Sequence, residues 1–442
     1  MKRNIGKNNS SSDIYRNELS NGMRIIALPV KGRKSIAIGA WILSGASCEP
    51  KNLVGVSHFI EHLVFKGTKA FSGKNIVSDI ERLGGNIDAY TTREETCYYA
   101  TMLGEDMEIA LKIIADLVCN PLLRKEDVEL ERQVILSEMS ETFDDPSALA
   151  QEIFPLLLFG DSPLGRPILG LRKTIENMQI EQLHSFWSEH YSGGNIILGA
   201  SGAVTPQSFS DLAEKLFTPS RSDIPKSEIY IKTDHDGKLA LIKHPSQQIH
   251  FILGIRTFPY SDENRFTLAV LDVILGRSSA SRLFQRIREQ LGLAYNIQSF
   301  SEYYKAAGFW GIYAGTAIDN FSKLLSEIFS ELKKIAQAEI SDSEFNNAKT
   351  FLRGRLLLSS ESPWNQLSRA IESEIFLKKF ISFEDVVEKV MSISLDDVAN
   401  LAKTLFVPQK IVAMALGDVK DKNLPDVGLT ISKMNIEDIF PC

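Results

Sequence analysis

The chain has 442 residues, of which 44% are hydrophobic and 24% charged, a composition typical of a folded globular protein of two to three domains. Its 56 acidic and 49 basic residues leave a net charge of −7, which argues against a nucleic-acid-binding protein. No apolar run approaches 18 residues, so no membrane span is predicted.

The N-terminal residues 1–14 are predicted to form a disordered tail. They are polar with a few basic residues and no apolar core, so they do not resemble a secretory signal. A mitochondrial presequence is the alternative, although the stretch is short and not amphipathic. None of the cysteines has a C-x-x-C or other metal-binding spacing, and a reducing, cytosolic compartment is therefore expected.

The first half, residues 15–218, is predicted to begin with strands and to end with helices. In chain order we expect strands at 22–30 and 35–43, a helix that carries His58 to His62, a helix near 74–83, strands at 87–90 and 96–103, and helices at about 105–119 and 125–143.

Residues 238–430 repeat this order of elements. We expect strands at 238–243, 248–256, 294–301 and 308–315, and helices at 264–275, 281–289, about 318–338 and 342–357. Two matches support a duplication: Asp127–Glu131 with Asp342–Asn346, and Ser147–Phe154 with Gln366–Phe376. Residues 219–237 form the predicted linker, and residues 431–442 form the predicted C-terminal tail.

Runs of strands that are followed by runs of helices predict an α+β fold. We expect two homologous halves of about 210 residues, related by a pseudo-two-fold repeat. Each half is predicted to be a mixed, mostly antiparallel sheet with helices packed on one face.

The segment from His58 to His62 predicts a metal site. Histidines four residues apart lie on the same face of a helix, so both imidazoles can reach one ion, with Glu61 beside them as a base. The order is the inverse of H-E-x-x-H and matches the inverzincin signature. The alternative is a helix with surface histidines, but its many apolar neighbours predict burial, and buried polar groups need partners.

A catalytic zinc ion usually has three protein ligands and an open position for water. Glu131 and Glu138 lie seven residues apart on one face of the predicted helix at 125–143, and both are candidates for the third ligand. The alternative is a solvated acidic stripe. The second half has Asn346 and Arg353 at the matching positions, so we expect one Zn²⁺ per chain.

The chain resembles the pitrilysin family of zinc metallopeptidases, in particular its mitochondrial-processing-peptidase-like bacterial branch. The resemblance runs from about residue 15 to about residue 420 and rests on segments 55–68, 130–139 and 281–295. It implies an endopeptidase in which His58, His62 and Glu138 bind zinc and Glu61 activates the zinc-bound water. Glu131 would orient the ligands.

The resemblance also implies residues that bind substrate. Arg288 and Tyr295 of the second half would hold the peptide, and Tyr295 would help to stabilise the oxyanion; without the resemblance they would be a helix-end cation and a strand aromatic. Where the family often has Asn-Ala-Tyr/Phe-Thr, this chain has Asp88-Ala89-Tyr90-Thr91. We expect a peptide to bind there as an added strand, beside Asp88 and Ala89.

The family encloses peptides or unstructured leader segments in a clamshell, which implies a homodimer, or a heterodimer with a homologous subunit. Two alternatives to an independent peptidase are a non-catalytic structural or assembly subunit and one subunit of a heterodimeric processing peptidase. The intact motif at His58, Glu61 and His62 argues against the first, and the presence of Arg288 and Tyr295 argues against the second.

Overall fold

The computed structural model describes residues 14–220, 237–420 and 424–440. Most of the predicted N-terminal tail and linker, and Cys442, lie outside these residues, so the domain boundaries stay a prediction. The strands of the first half are β1 (Tyr15–Glu18), β2 (Arg24–Pro29), β3 (Ser35–Ile42), β4 (Asn86–Thr91), β5 (Thr96–Leu103) and β6 (Ile196–Gly202). Its helices are α1 (Val56–Val64), α2 (Gly73–Glu81), α3 (Met107–Cys119), α4 (Lys125–Asp144), α5 (Pro146–Phe159), α6 (Arg172–Asn177), α7 (Ile180–His190) and α8 (Pro206–Leu216).

The second half repeats this arrangement. Its strands are β7 (Lys238–Ile242), β8 (Gln248–Thr257), β9 (Ala294–Tyr303), β10 (Gly308–Ala317), β11 (Ile411–Leu416) and β12 (Thr430–Met434). Its helices are α9 (Asn264–Leu275), α10 (Phe321–Ala336), α11 (Asp342–Ser359), α12 (Pro363–Glu372), α13 (Phe383–Ser392), α14 (Leu395–Leu405) and α15 (Ile436–Ile439), with π-helical segments at Phe284–Gln290 and Ser373–Leu377.

The two sheets have the same central topology. Their six-stranded orders are β1-β2-β6-β3-β5-β4 and β12-β7-β11-β8-β10-β9. In each, one central pair is parallel, β2 with β6 and β7 with β11, and the strands that follow are antiparallel. The sheets differ at one edge, since β1 is antiparallel to β2 whereas β12 is parallel to β7. The predicted α+β class with two homologous halves is confirmed.

The predicted strands and helices are present, but several elements were not predicted: β1, β12, α6 to α8 and α13 to α15. The central strands β6 and β11 were not expected, because their sequences, IILGASG and IVAMAL, are apolar runs without the alternation that marks a half-buried strand. The helix expected at 281–289 is largely a π-helix, from Phe284 to Gln290.

Both faces of each central sheet are buried, because each half supplies a helix to the other. In β3, Ile38 and Ala40 face the helices of their own half, whereas Trp41 faces the other way. That second face is covered by α12, which packs on β3 and β6. Reciprocally, α5 of the first half packs on β8 and β11 of the second sheet.

One further property of the helices bears on the predicted lack of a membrane span. Among the residues that the structure describes, no helix is both long and apolar enough to cross a bilayer.

Candidate metal centre

Helix α1 presents the motif side chains, and its start is held by a buried carboxylate. Glu49 accepts hydrogen bonds from the backbone N–H of Gly55 (2.7 Å) and of Ser57 (2.9 Å), two of the donors that a helix start leaves free. Gly55 has φ +98°, and a Cβ there would lie 2.7 Å from the Cα of Gly170. Only glycine fits this entry. The start of α1 is thereby fixed, two residues before His58.

Three side chains converge at the side of α1 that faces α4. The Nε2 atoms of His58 and His62 lie 3.2 Å apart, and Oε2 of Glu138 lies 3.7 Å from each of them. Among the described residues these three form the group that could hold a metal ion. Two nitrogen ligands of a tetrahedral zinc ion lie about 3.3–3.4 Å apart when each bond is about 2.0–2.1 Å. The spacing of the imidazoles therefore suits zinc.

The hydrogen bonding of these atoms also fits a cation. Oε2 of Glu138 is buried and has no hydrogen-bond partner in the described part of the chain, a costly arrangement for a carboxylate oxygen. The two Nε2 atoms face each other, and each carries a lone pair when its ring is neutral with the proton on Nδ1. A metal ion between the three atoms would satisfy all of them.

The two imidazoles differ in charge preference. Burial, together with the nearby His62, lowers the pKa of His58 to about 3, so this ring is neutral and ready to bind a metal. Burial also acts to lower the pKa of His62, but the hydrogen bond to Glu131 and the charges of Glu138 and Glu61 outweigh it and raise that pKa. In a protonated His62 ring, a metal ion would displace the proton on Nε2 and leave the one on Nδ1.

Glu131 contacts the nitrogen of the His62 ring that faces away from His58 and Glu138. Its Oε2 lies 3.2 Å from Nδ1 of His62, and its Oε1 accepts a bond of 2.7 Å from Nζ of Lys66. Burial acts to raise the pKa of Glu131, but the hydrogen bonds from His62 and Lys66 outweigh it and lower that pKa. An ionised Glu131 keeps the proton of His62 on Nδ1 and leaves Nε2 free for a ligand bond.

Glu61 lies on the same face of α1 and is held by the end of β4. The hydroxyl of Thr91 donates to Oε2 of Glu61 over 2.5 Å. Burial raises the pKa of Glu61, and Glu138 and Asp88 act in the same direction, whereas the Thr91 bond and His62 oppose them. A buried carboxyl with a raised pKa beside a metal pocket is suited to accept and return a proton.

The predicted substrate residues of the first half lie on a sheet edge. β4 pairs only with β5 in the described sheet, so its other side can accept a further strand. Asp88 is exposed, and its carboxylate accepts from the N–H of Ala89 (2.8 Å) and from the hydroxyl of Tyr99 (3.4 Å). A peptide that binds this edge at Ala89 would compete with the Asp88 carboxylate.

Arg288 and Tyr295 lie together, but not against the metal-ligand group. The guanidinium of Arg288 stacks on the ring of Tyr295 at 4.4 Å, and Tyr295 is 81% exposed. Within the described residues, neither makes a hydrogen bond, ion pair or ring contact with His58, His62 or Glu138. Their role in substrate binding stays a prediction.

Sequence reasoning missed two side chains that touch this centre. Lys66 lies four residues after His62, a helical spacing that could have pointed to the same face. Thr91 closes the Asp88–Thr91 segment, but its contact with Glu61 depends on how β4 packs against α1 and has no signal in the spacing of residues.

The chain folds into two homologous halves, and two helices of the first half bring together two histidines and a glutamate that could hold a metal ion. The first half, residues 25–172, matches the family described as Insulinase (Peptidase family M16), and residues 177–352 match the Peptidase M16 inactive domain. The chain belongs to peptidase family M16, which confirms the family resemblance.

Curated relatives cover nearly the whole chain. An uncharacterized zinc protease of Rickettsia felis is 34% identical over 390 residues, 88% of this chain and 94% of that protein. The uncharacterized zinc protease YmxG of Bacillus subtilis is 30% identical over 401 residues, 91% of this chain and 98% of that protein.

Two solved structures share the fold. A protease from Helicobacter pylori superposes with a TM-score of 0.84 at 21% identity, covering 92% of this chain and 99% of that one. The peptidase M16 inactive domain from Pseudomonas fluorescens gives a TM-score of 0.86 at 18% identity, covering 93% and 100%.

Proposed function

We propose that the protein is a zinc-dependent endopeptidase that cleaves peptides or unstructured leader segments. The observation that carries the proposal is the convergence of His58, His62 and Glu138 on one point, with Oε2 of Glu138 buried and without a hydrogen-bond partner among the described residues. Zinc protease is also the name given to its relatives at 30–34% identity.

His58, His62 and Glu138 would hold the ion. A zinc ion bound there would act as a Lewis acid on the peptide carbonyl and make a water molecule easier to deprotonate. Glu61 takes the proton from the attacking water and returns it to the leaving amine. Glu131 keeps His62 in the tautomer that binds the metal.

The substrate is proposed to lie along the free edge of β4 as an extended strand, next to Asp88 and Ala89. Main-chain hydrogen bonds would supply affinity that tolerates many sequences. Arg288 and Tyr295 are proposed to hold the peptide from the second half. Because neither contacts the metal-ligand group within the described chain, a homodimer in which a partner copy supplies them fits this arrangement, and so does a heterodimer with a homologous subunit. We place this activity in the bacterial cytoplasm.

Activity on a quenched fluorescent peptide tests the proposal. The purified protein, loaded with zinc, is expected to cleave the peptide and to lose the activity with a chelator. Glu61→Gln should retain one zinc per chain and lose at least about 100-fold in kcat, because general-base catalysis contributes about 10²–10⁴-fold. Metal-loaded protein without activity would refute the proposal and favour a structural subunit, whereas a fully active Glu61→Gln would refute Glu61 as the base.

A further inference from the structure

The hydroxyl of Thr91 is the one described side chain that donates a hydrogen bond to the proposed base. It reaches Oε2 of Glu61 from the last position of β4. Oε1 of Glu61 makes no hydrogen bond with the described residues, so the two carboxylate oxygens have different tasks. One is anchored and the other is available for a proton.

Two groups could accept the hydrogen of the Thr91 hydroxyl, and the carboxylate of Glu61 is the better acceptor of the two. The nearest other hydroxyl, that of Thr96, lies 3.4 Å away and donates its own hydrogen to the carbonyl of Ser44 over 3.0 Å. Each hydroxyl has a single hydrogen, and a bond to a carboxylate is stronger than a bond to a neutral hydroxyl. Thr91 therefore donates to Glu61.

The turn that follows Thr91 is tied down on several sides. The N–H groups of Ala46 and Ser47 donate to backbone carbonyls of the turn, residues 92–95 (3.1 and 2.7 Å). A Cβ at Gly45 would lie 2.3 Å from one of these carbonyl oxygens, so the two segments are in close contact. Glu94 accepts from the backbone N–H of Lys305 in the second half. Thr91 thus stands at the end of a strand whose turn cannot easily shift.

We propose that Thr91 is a positioning residue for Glu61. Its hydrogen bond to Oε2 fixes the plane of the carboxylate and leaves Oε1 as the proton acceptor. Held geometry of this kind is worth a large rate factor, because a misplacement of about 1 Å can cost about 100-fold. This inference rests on the proposed peptidase function, in which Glu61 is the base.

The test compares Thr91→Val, which lacks the hydroxyl at nearly constant volume, with Thr91→Ser, which keeps it. Thr91→Val should lower kcat by about 10- to 100-fold with KM within twofold, and Thr91→Ser should restore kcat to within about threefold of the wild type. Zinc content and Tm are measured for each protein, and zinc content is expected to be unchanged. Thr91→Ala serves in place of Thr91→Val if the latter does not fold.

Thr101→Val is the matched control, because Thr101 lies on β5 opposite Asn86 at the far end of the same strand pair. Its kcat should equal that of the wild type. A kcat of Thr91→Val within twofold of the wild type would overturn the inference, and so would a Thr91→Ser protein as slow as Thr91→Val.

Crystal structures of the zinc-loaded wild type and of Thr91→Val separate this inference from the proposed function. The carboxylate of Glu61 should move from its wild-type position in Thr91→Val and stay in Thr91→Ser. If the wild type has no peptidase activity, the proposed function fails, while a displaced Glu61 still supports the positioning by Thr91. An unmoved Glu61 in Thr91→Val contradicts it.

Discussion

The carboxylate of Glu131, which lies beside Nδ1 of His62, affects how tightly His62 can bind a metal ion. Glu131, with a side chain only 4% exposed, is shared between His62 and Lys66, and the lysine offsets part of its charge. A carboxylate in this place fixes the imidazole ring and makes it a better electron donor.

Replacing Glu131 with alanine should therefore weaken zinc binding by about 10- to 100-fold. His62 would lose its Nδ1 partner and rotate more freely, while all three ligand atoms remain. Competition against a chromophoric chelator measures the effect. Glu126→Gln is the control on the same helix, because Glu126 has only an exposed ion pair at 3.9 Å. The zinc affinity of this variant should equal that of the wild type. An unchanged affinity in Glu131→Ala would remove Glu131 from the site.

Glu95 introduces a pH dependence of stability. Burial, with the nearby Glu372, raises the pKa of Glu95 from 4.5 to about 7. Such a carboxyl has a higher pKa in the folded state than in the unfolded state. Its contribution to stability is complete at a pH below the unfolded pKa and is lost as the pH rises through the folded pKa.

We accordingly expect the free energy of unfolding to fall between pH 4.5 and pH 7 by at most about 3 kcal/mol from this group, at about 1.36 kcal/mol per pKa unit. Denaturant titrations at several pH values measure it. Glu95→Gln should lack this part of the decrease, whereas Glu105→Gln, at an exposed position, should keep it. Equal slopes in all three proteins would argue against a raised pKa at Glu95.

How much of the site follows from sequence depends on the kind of contact. Spacing places His58 and His62 on one face of a helix, and the family resemblance singles out Glu138 from Glu131. The spacing of Lys66 from His62 could also have indicated its position. The contact of Thr91 does not follow in this way, because a hydrogen bond from the end of β4 to α1 depends on how the two elements pack, which local sequence does not encode.

Helix α1 depends on the glycine that precedes it. Gly55 is at once left-handed and in contact with the backbone of Gly170. Gly84, after α2, is also left-handed, with φ +73°, but a Cβ there would meet nothing within 4 Å. A comparison of substitutions at the two glycines therefore separates the cost of a left-handed backbone from the cost of a steric clash.

Gly84→Ala should cost about 1–2 kcal/mol of stability, the price of a left-handed alanine. Gly55→Ala should cost about 1–3 kcal/mol more, because its Cβ overpacks the interior, and it should also lower zinc affinity by displacing His58. Chemical denaturation and metal titration of both variants measure the difference. Equal losses would mean that the contact with Gly170 relaxes freely.

The whole molecule is held together by two reciprocal helices. α12 of the second half covers the first sheet, and α5 of the first half covers the second sheet. On α12, Leu367 is fully buried, and its side chain packs close to Gly199 of β6. Neither half can bury both faces of its sheet alone.

Leu367→Ala should destabilise the protein by about 2–5 kcal/mol and should lower the unfolding midpoint of both halves together. Denaturant unfolding followed by tryptophan fluorescence and by zinc release checks this, and the two curves should coincide. Leu358→Ala, at a side chain that is 71% exposed, should change stability by less than about 0.5 kcal/mol. Separate transitions in the wild type would show independent halves.

The sequence predicts the duplication of the whole molecule, but it does not predict that each half places a helix on the sheet of the other. The match between Ser147–Phe154 and Gln366–Phe376 marks α5 and α12 as equivalent. It does not show that each lies on the other half's sheet, because their apolar faces would fit either sheet. Only the burial of Trp41 and Ile26 away from their own helices reveals a second layer.

The reciprocal helices also set an order of events during synthesis. A ribosome adds about 5–20 residues per second, so the outer face of the first sheet waits on the order of 10 s for α12 to emerge. During that time the nascent chain exposes Ile26, Trp41 and Ile197, an apolar surface of the kind that chaperones bind. A chain that is released before α12 is made would keep these side chains exposed, and we expect quality-control proteases to degrade it.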